Sequence, residues 1–230
     1  MFKKISLVGA VIMALSSTAH AADSVDMKVS GTLVNGSCSP SLENGGVVDL
    51  GHIPLGNLSR TDTNRIGQKN ITLTITCDTE IPVAWNVKDN RSDSLVELTV
   101  KNAFFNGSDC SASANKFGIG KTENGLNIGA YCISVNVPDA TVDGNVGDVI
   151  YKNLGSSANG WSKTGDGSAR NYSPNNRYLS IADVGSLIPK AGKVFVYPLM
   201  VTAAIQATDI LSITDNTILD GSATISMVYI

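Results

Sequence analysis

The tightest constraint on this chain is apolar alternation at period two, broken every few residues by turn chemistry. In NITLTITC (70–77), Ile71, Leu73, Ile75 and Cys77 share one face and the threonines share the other. PVAWNVK (82–88) repeats the pattern through Val83, Trp85 and Val87, and MKVSGTLV (27–34) and SLVELTV (94–100) carry shorter versions. LNIGAYCISVNV (126–137) and KVFVYPLMVTAAI (193–205) are longer runs of the same kind. Such segments fit a pleated surface with one side buried. Between them stand NGS at 35, ENGG at 43, DNRSDS at 89, NGSD at 106 and PDATVDGNVGD from 138. Their Gly, Asn and Asp residues suit tight turns. No window sustains a 3.6-residue period, although RYLSIADVGSLI (177–188) has room for one short helix. Many short strands punctuated this way predict an all-β antiparallel sandwich. The expected core holds Met27, Val29, Leu33, Ile71, Leu73, Ile75, Trp85, Phe195 and Tyr197.

DGSATISMVYI (220–230) is a further strand pattern. Ala223, Ile225, Met227 and Tyr229 fall on one face, while Val228 and Ile230 sit on the other. A strand that is cleanly polar on neither face is expected to pair, either within its own sheet or with another chain.

The first residues indicate the compartment. MFKKISLVGAVIMALSSTAHA places Lys3 and Lys4 before an apolar run from Ile5 to Leu15 and ends on Ala19-His20-Ala21. Basic, apolar and small-x-small regions in that order predict a secretory signal peptide over residues 1–21, hence export to the periplasm or cell surface. The run is too short to stop in a bilayer, and no later segment is long and apolar enough to be an integral membrane span. The four cysteines, Cys38, Cys77, Cys110 and Cys132, all follow it. An even count in an exported chain predicts two disulfides, with three connectivities open. No C-x-x-C spacing occurs and His52 is the one histidine beyond the signal peptide, so neither a metal site nor a cofactor is expected. The 17 Lys and Arg and 20 Asp and Glu are scattered, for a formal net charge of −3, which leaves no nucleic-acid footprint.

Catalytic patterns are missing. His52 lies in DLGHIPLG, a turn-like setting, and no G-x-S-x-G elbow supplies a nucleophile. FGIGKT (117–122) has Asn115 where a phosphate-binding loop needs glycine, so it reads as a core strand and turn. The Asp and Asn clusters read as solvated turns rather than calcium loops. The chain is therefore expected not to be an enzyme. The segment 153–176 is rich in Gly, Ser and Asn and is expected to be a long surface loop inserted in a single domain over 22–230. Its aromatics, Trp161 and Tyr172, are candidates for contacting a ligand such as a sugar.

Several stretches together resemble the chaperone–usher fimbrial (pilin-like) subunits. VSGTLVNGSCSP looks like their first strand running into a first cysteine, VVDLGHIPLGNLS like the strand that follows, and NITLTITCDT like the strand ending in the second cysteine. The run from Cys38 to Gly51 (CSPSLENGGVVDLG) is similar to enterobacterial fimbrial-like periplasmic proteins whose domain has no assigned function. The resemblance is good to about Arg91 and returns at 193–230. It implies an immunoglobulin-like sandwich that lacks its last strand, and a Cys38–Cys77 disulfide, which leaves Cys110 with Cys132. It further implies an assembly strand holding Gly221, Ala223, Ile225, Met227 and Tyr229, and a donor arm holding Val25, Met27 and Val29. The partners implied are a periplasmic fimbrial chaperone and other fimbrial subunits, joined by strand addition. Those readings make the chain a pilus subunit or minor pilin. The alternative is a self-complete periplasmic sandwich binding a small ligand.

Overall fold

A computed structural model describes residues 27–33, 36–154, 160–171, 177–213 and 216–230. Residues 1–21, expected to be a signal peptide, together with Val25 and Tyr172 lie outside the described residues. The chain divides into two units, Met1–Val34 and Asn35–Ile230. In the first, residues 27–33 hold no helix or strand, and Met27, Val29 and Leu33 are exposed. This corrects the expectation of a core strand at 27–34. Alternation gives a segment a face to bury, but only a neighbouring strand makes it part of a sheet.

The second unit is all-β. Its strands are β1 (Cys38–Leu42), β2 (Asn64–Asp89), β3 (Lys116–Gly118), β4 (Gly129–Val135), β5 (Thr141–Val142) and β6 (Asn145–Val146). They continue with β7 (Asp148–Asn153), β8 (Ser162–Lys163), β9 (Arg177–Ala182), β10 (Ala191–Ile205) and β11 (Ala223–Tyr229). Every pairing is antiparallel. One sheet runs β1-β2-β10-β4-β3, with the β5–β6 hairpin beside β10. The other runs β11-β2-β9-β7-β8.

β2 belongs to both sheets. The sequence reads as two strands at 70–77 and 82–88, yet they form one strand of 26 residues. Its first part pairs with β10, and its last part pairs with β11 and β9. Between them the register slips: Thr76 faces Val194 while Ile81 faces Gly192, so Cys77–Glu80 bulge. A bulge bends a strand and increases its twist, which lets β2 leave one sheet for the other.

The inner faces of the two sheets share one core, in which Leu73, Ile75, Trp85, Phe195 and Tyr197 are buried, as is Ile71. Trp85 and Tyr197 meet edge to face, with ring centroids 5.6 Å apart. Both disulfides form, Cys38–Cys77 and Cys110–Cys132. The first joins β1 to β2 at directly opposed residues. The turn after β1 is the ENGG cluster, where Asn44, Gly45 and Gly46 all take positive φ, a region that glycine and asparagine enter at least cost.

Three further expectations change. SLVELTV is not a strand: Ser94 ends a short 3₁₀ turn, and only Val100 bridges, to Cys110. Its Leu98 and Val100 instead pack with Phe104, Ala130, Ala204 and the Cys110–Cys132 disulfide in a second cluster. The run at 177–188 opens with strand β9 rather than a helix, because it pairs with β7 over its whole length. The segment 153–176 is not wholly a surface loop, since β8 pairs with β7 and Ser168 and Ala169 are buried.

Two measurements check this packing. Leu73→Ala, at a fully buried position, should cost about 2–5 kcal/mol in denaturant unfolding. Replacing Cys110 and Cys132 together by alanine frees a bridge of sequence separation 22. It should cost about 3 kcal/mol in the chain-entropy account and leave the Cys38–Cys77 bridge intact in non-reducing peptide maps.

Candidate functional site

The two sheets do not close on each other along one side. There β1 is the edge of one sheet and β11 the edge of the other. Between them runs an apolar groove of about 810 Å³. One wall is Leu42, Val48 and Leu50, from β1 and the segment after it. The floor is the inner face of the larger sheet, including Ile71, Tyr131, Ile133, Leu199 and Val201. The other wall is Leu219, Ala223 and Ile225. Asp49 is the one ionisable carboxylate of the lining, and no lysine or arginine joins it. The alternation that places Ala223, Ile225 and Met227 on one face holds, and all three are half-buried against the core.

The segment before β11 is held in place by its backbone and by charge. Asp220 N–H donates to the Ile119 carbonyl at 2.9 Å. The Asp220 carboxylate accepts from Arg91 Nε at 2.9 Å and Nη2 at 2.6 Å. A Cβ on Gly221 would stand 2.9 Å from Tyr131 Cε1, so a side chain there would push on the groove floor. Burial, and secondarily the charge of Asp89, pushes the Tyr131 phenol well above its ordinary range, so it stays neutral.

The outer edge of β11 is open. Asn90 N–H donates to the Ser222 carbonyl at 2.9 Å, in the same register as the β11–β2 ladder. Antiparallel residues alternate between bonded and non-bonded pairs. The backbones of Thr224, Ser226 and Val228 therefore bond to β2, and those of Ala223, Ile225, Met227 and Tyr229 point outward. Among the described residues none of these four outward N–H or carbonyl groups has a hydrogen-bond partner. Tyr229 is 55% exposed, and its hydroxyl accepts the Cys38 N–H at 3.0 Å.

The other candidate residues do not share this place. Trp161 is half-buried just before β8. Nearby, Arg177 is buried over the Tyr151 ring at 4.1 Å. It donates to Asn153 Oδ1 at 2.9 Å, Ser168 O at 3.0 Å and Ser168 Oγ at 2.8 Å. Burial, then the neighbouring Arg170, lowers its pKa to about 10. This arginine ties β9 to Asn153 at the start of the 153–176 segment and to Ser168 within it. His52 is exposed, on the groove rim. Among the described residues no group of three or more His, Cys, Asp or Glu side chains is placed to hold a metal ion, and no helix is long and apolar enough to cross a membrane. The larger groove wall from Val48 to Leu50 carried no site signal in the sequence beyond its alternation, because its role comes from facing β11.

The geometry of the site is that of an elongated apolar groove with an open strand edge beside it. The family model "Protein of unknown function (DUF1120)" matches residues 27–132, which include β1, all of β2 and the Val48–Leu50 wall. The chain is 32% identical to "Protein GltF" of Escherichia coli (strain K12), over 100% of this chain and 99% of that protein. It is 30% identical to "Uncharacterized protein YhcF" of the same organism, over 99% of this chain and 98% of that protein. With relatives of 32% and 30% identity aligned over nearly the whole of both chains, the chain belongs to one family with GltF and YhcF, and its residues 27–132 match the DUF1120 model.

Proposed function

We propose that the chain is a fimbrial-like structural and interaction protein, a subunit or minor subunit assembled by chaperone-assisted strand addition. The observation that carries this reading is the open edge of β11 beside an apolar groove. Backbone groups at 223, 225, 227 and 229 point outward, and half-buried Ala223, Ile225 and Met227 stand on the same strand. An added strand supplies the missing main-chain bonds and fills the groove with alternate side chains. Left unfilled, such an edge is a template for indiscriminate pairing. In this reading the sandwich is of the immunoglobulin-like type, the signal peptide exports the chain to the periplasm or cell surface, and a periplasmic chaperone and other subunits are the partners. The donor is an arm carrying Val25, Met27 and Val29, and the exposure of Met27 and Val29 supports that role.

A second reading rests on the volume of the groove. About 810 Å³ lies in the range of small-molecule sites, which suits a self-complete periplasmic sandwich that binds an apolar ligand.

Size-exclusion of the exported chain with and without a periplasmic fimbrial chaperone separates the two. Strand addition predicts a chain that aggregates alone and elutes as a defined complex with the chaperone. The self-complete reading predicts a stable monomer that ignores it. Ile225→Asp should weaken the complex by about ten- to a hundredfold, since burying one large aliphatic side chain contributes about 1.5–3 kcal/mol. A complex of unchanged affinity in that variant counts against β11 as the docking strand. Tyr229→Ala should lower the yield of exported protein, measured by quantitative blotting of periplasmic extracts.

A further inference from the structure

β1 reaches the groove at Leu42 and β11 at Ala223 and Ile225, and a strand lying there could bond to either edge or both. The edge of β1 differs from that of β11. Asp78 N–H donates to the Ser37 carbonyl at 3.0 Å, in register with the Cys38–Cys77 pairing. By the same alternation, Ser39 and Ser41 bond to β2, while the backbones of Cys38, Pro40 and Leu42 point away from it, Leu42 at the groove. Pro40 has no N–H to offer. The Cys38 N–H is already donated to the Tyr229 hydroxyl. Only Leu42 is left with a free outward donor, at the far end where the chain enters the ENGG turn. Proline and occupied donors are what keep an edge strand from pairing.

We infer that the groove takes its partner strand by one-sided pairing: main-chain bonds to β11 alone, with β1 as a non-bonding apolar wall. The inference rests on the strand-addition reading. The occupant is the segment around residues 25–33 of a second copy, whose Met27, Val29 and Leu33 are exposed apolar side chains at alternate positions. The groove also limits its length. The Tyr229–Cys38 contact closes one end, and the Asp220–Ile119 bond with Gly221 against Tyr131 closes the other. Between them β11 offers Ala223 to Val228, so the paired part of the partner is about six residues, or about 20 Å. Three alternate side chains of that strand point inward, matching an apolar lining with a single carboxylate.

The test is residue-resolved amide hydrogen exchange on the exported chain, with and without a synthetic peptide of sequence Asp23–Leu33. One-sided pairing predicts that peptide slows exchange at Ala223, Ile225 and Met227 by at least tenfold. Thr224 and Ser226, already bonded to β2, and Leu42 should not change. In the double variant Pro40→Ala, Tyr229→Phe, which restores two donors to β1, the slowing should extend to residues 38 and 40. Comparable slowing at Leu42 in the unaltered chain overturns one-sided pairing and leaves strand addition standing. Slow exchange at Ile225 and Met227 without peptide, at every chain concentration, puts the arm of the same chain in the groove and overturns the second-copy occupant. No slowing by peptide also overturns that occupant. If Ile225→Asp in addition leaves the chaperone complex unchanged, strand addition itself fails.

Discussion

The architecture depends on one strand serving two sheets. β2 pairs with β10 through its first part and with β11 and β9 through its last, and the change of sheet is made at the Cys77–Glu80 bulge. The register on either side is strongly determined. Leu73 and Ile75 stand opposite Tyr197 and Phe195, all buried, and a one-residue slip of β2 would turn Leu73 and Ile75 away from this core. Cys77 lies at the start of the bulge, and its disulfide holds β1 to the same point. The positions of both open edges follow from this: β1 ends one sheet and β11 ends the other on the same side of the core.

That open side carries a cost in stability. Ala223, Ile225 and Met227 pack on the core yet stay half-exposed, so apolar area that a closed sandwich would bury remains in contact with water. The exposed main chain adds its own cost at the groove, because a docked neighbour that buried it unpaired would be disfavoured. An extended strand meets both demands at once. The anchors at the two ends of β11, Tyr229 on Cys38 and Asp220 on Ile119 and Arg91, keep the edge in position. The edge is therefore hydrogen-bonded at its ends and open along its length.

Two features between β2 and β10 fasten parts of the sandwich outside the groove lining. The stretch around Leu98, Val100 and Phe104 covers the back of β4 and β10, and the Cys110–Cys132 disulfide fastens it there. Lys116 is buried beneath this cover, and its Nζ donates to Glu97 Oε2 at 2.5 Å and to the Leu98 carbonyl at 3.2 Å. Arg177 has the matching role in the other sheet, over Tyr151 and against Ser168. Neither feature announces itself in the sequence as anything but a charge among turn residues.

The sequence by itself determined the class of fold and the faces of its strongest strands. Period-two alternation named Ile71, Leu73, Ile75, Trp85, Phe195 and Tyr197 as core and set Ala223, Ile225 and Met227 on one face, because side-chain hydropathy and its period are local properties of the chain. It also supplied four cysteines whose pairing into Cys38–Cys77 and Cys110–Cys132 the resemblance to fimbrial subunits anticipated. Only the tertiary structure decided which strands are neighbours. Backbone hydrogen-bonding groups are alike at every residue, so alternation cannot tell a paired strand from an unpaired one. That is why 27–33 and 94–100 read as strands and are not, why 70–77 and 82–88 proved to be one strand, and why 177–182 became one through β7. The open edge of β11 and the groove beside it arise the same way, from contacts between segments far apart in the chain that no single stretch of sequence records.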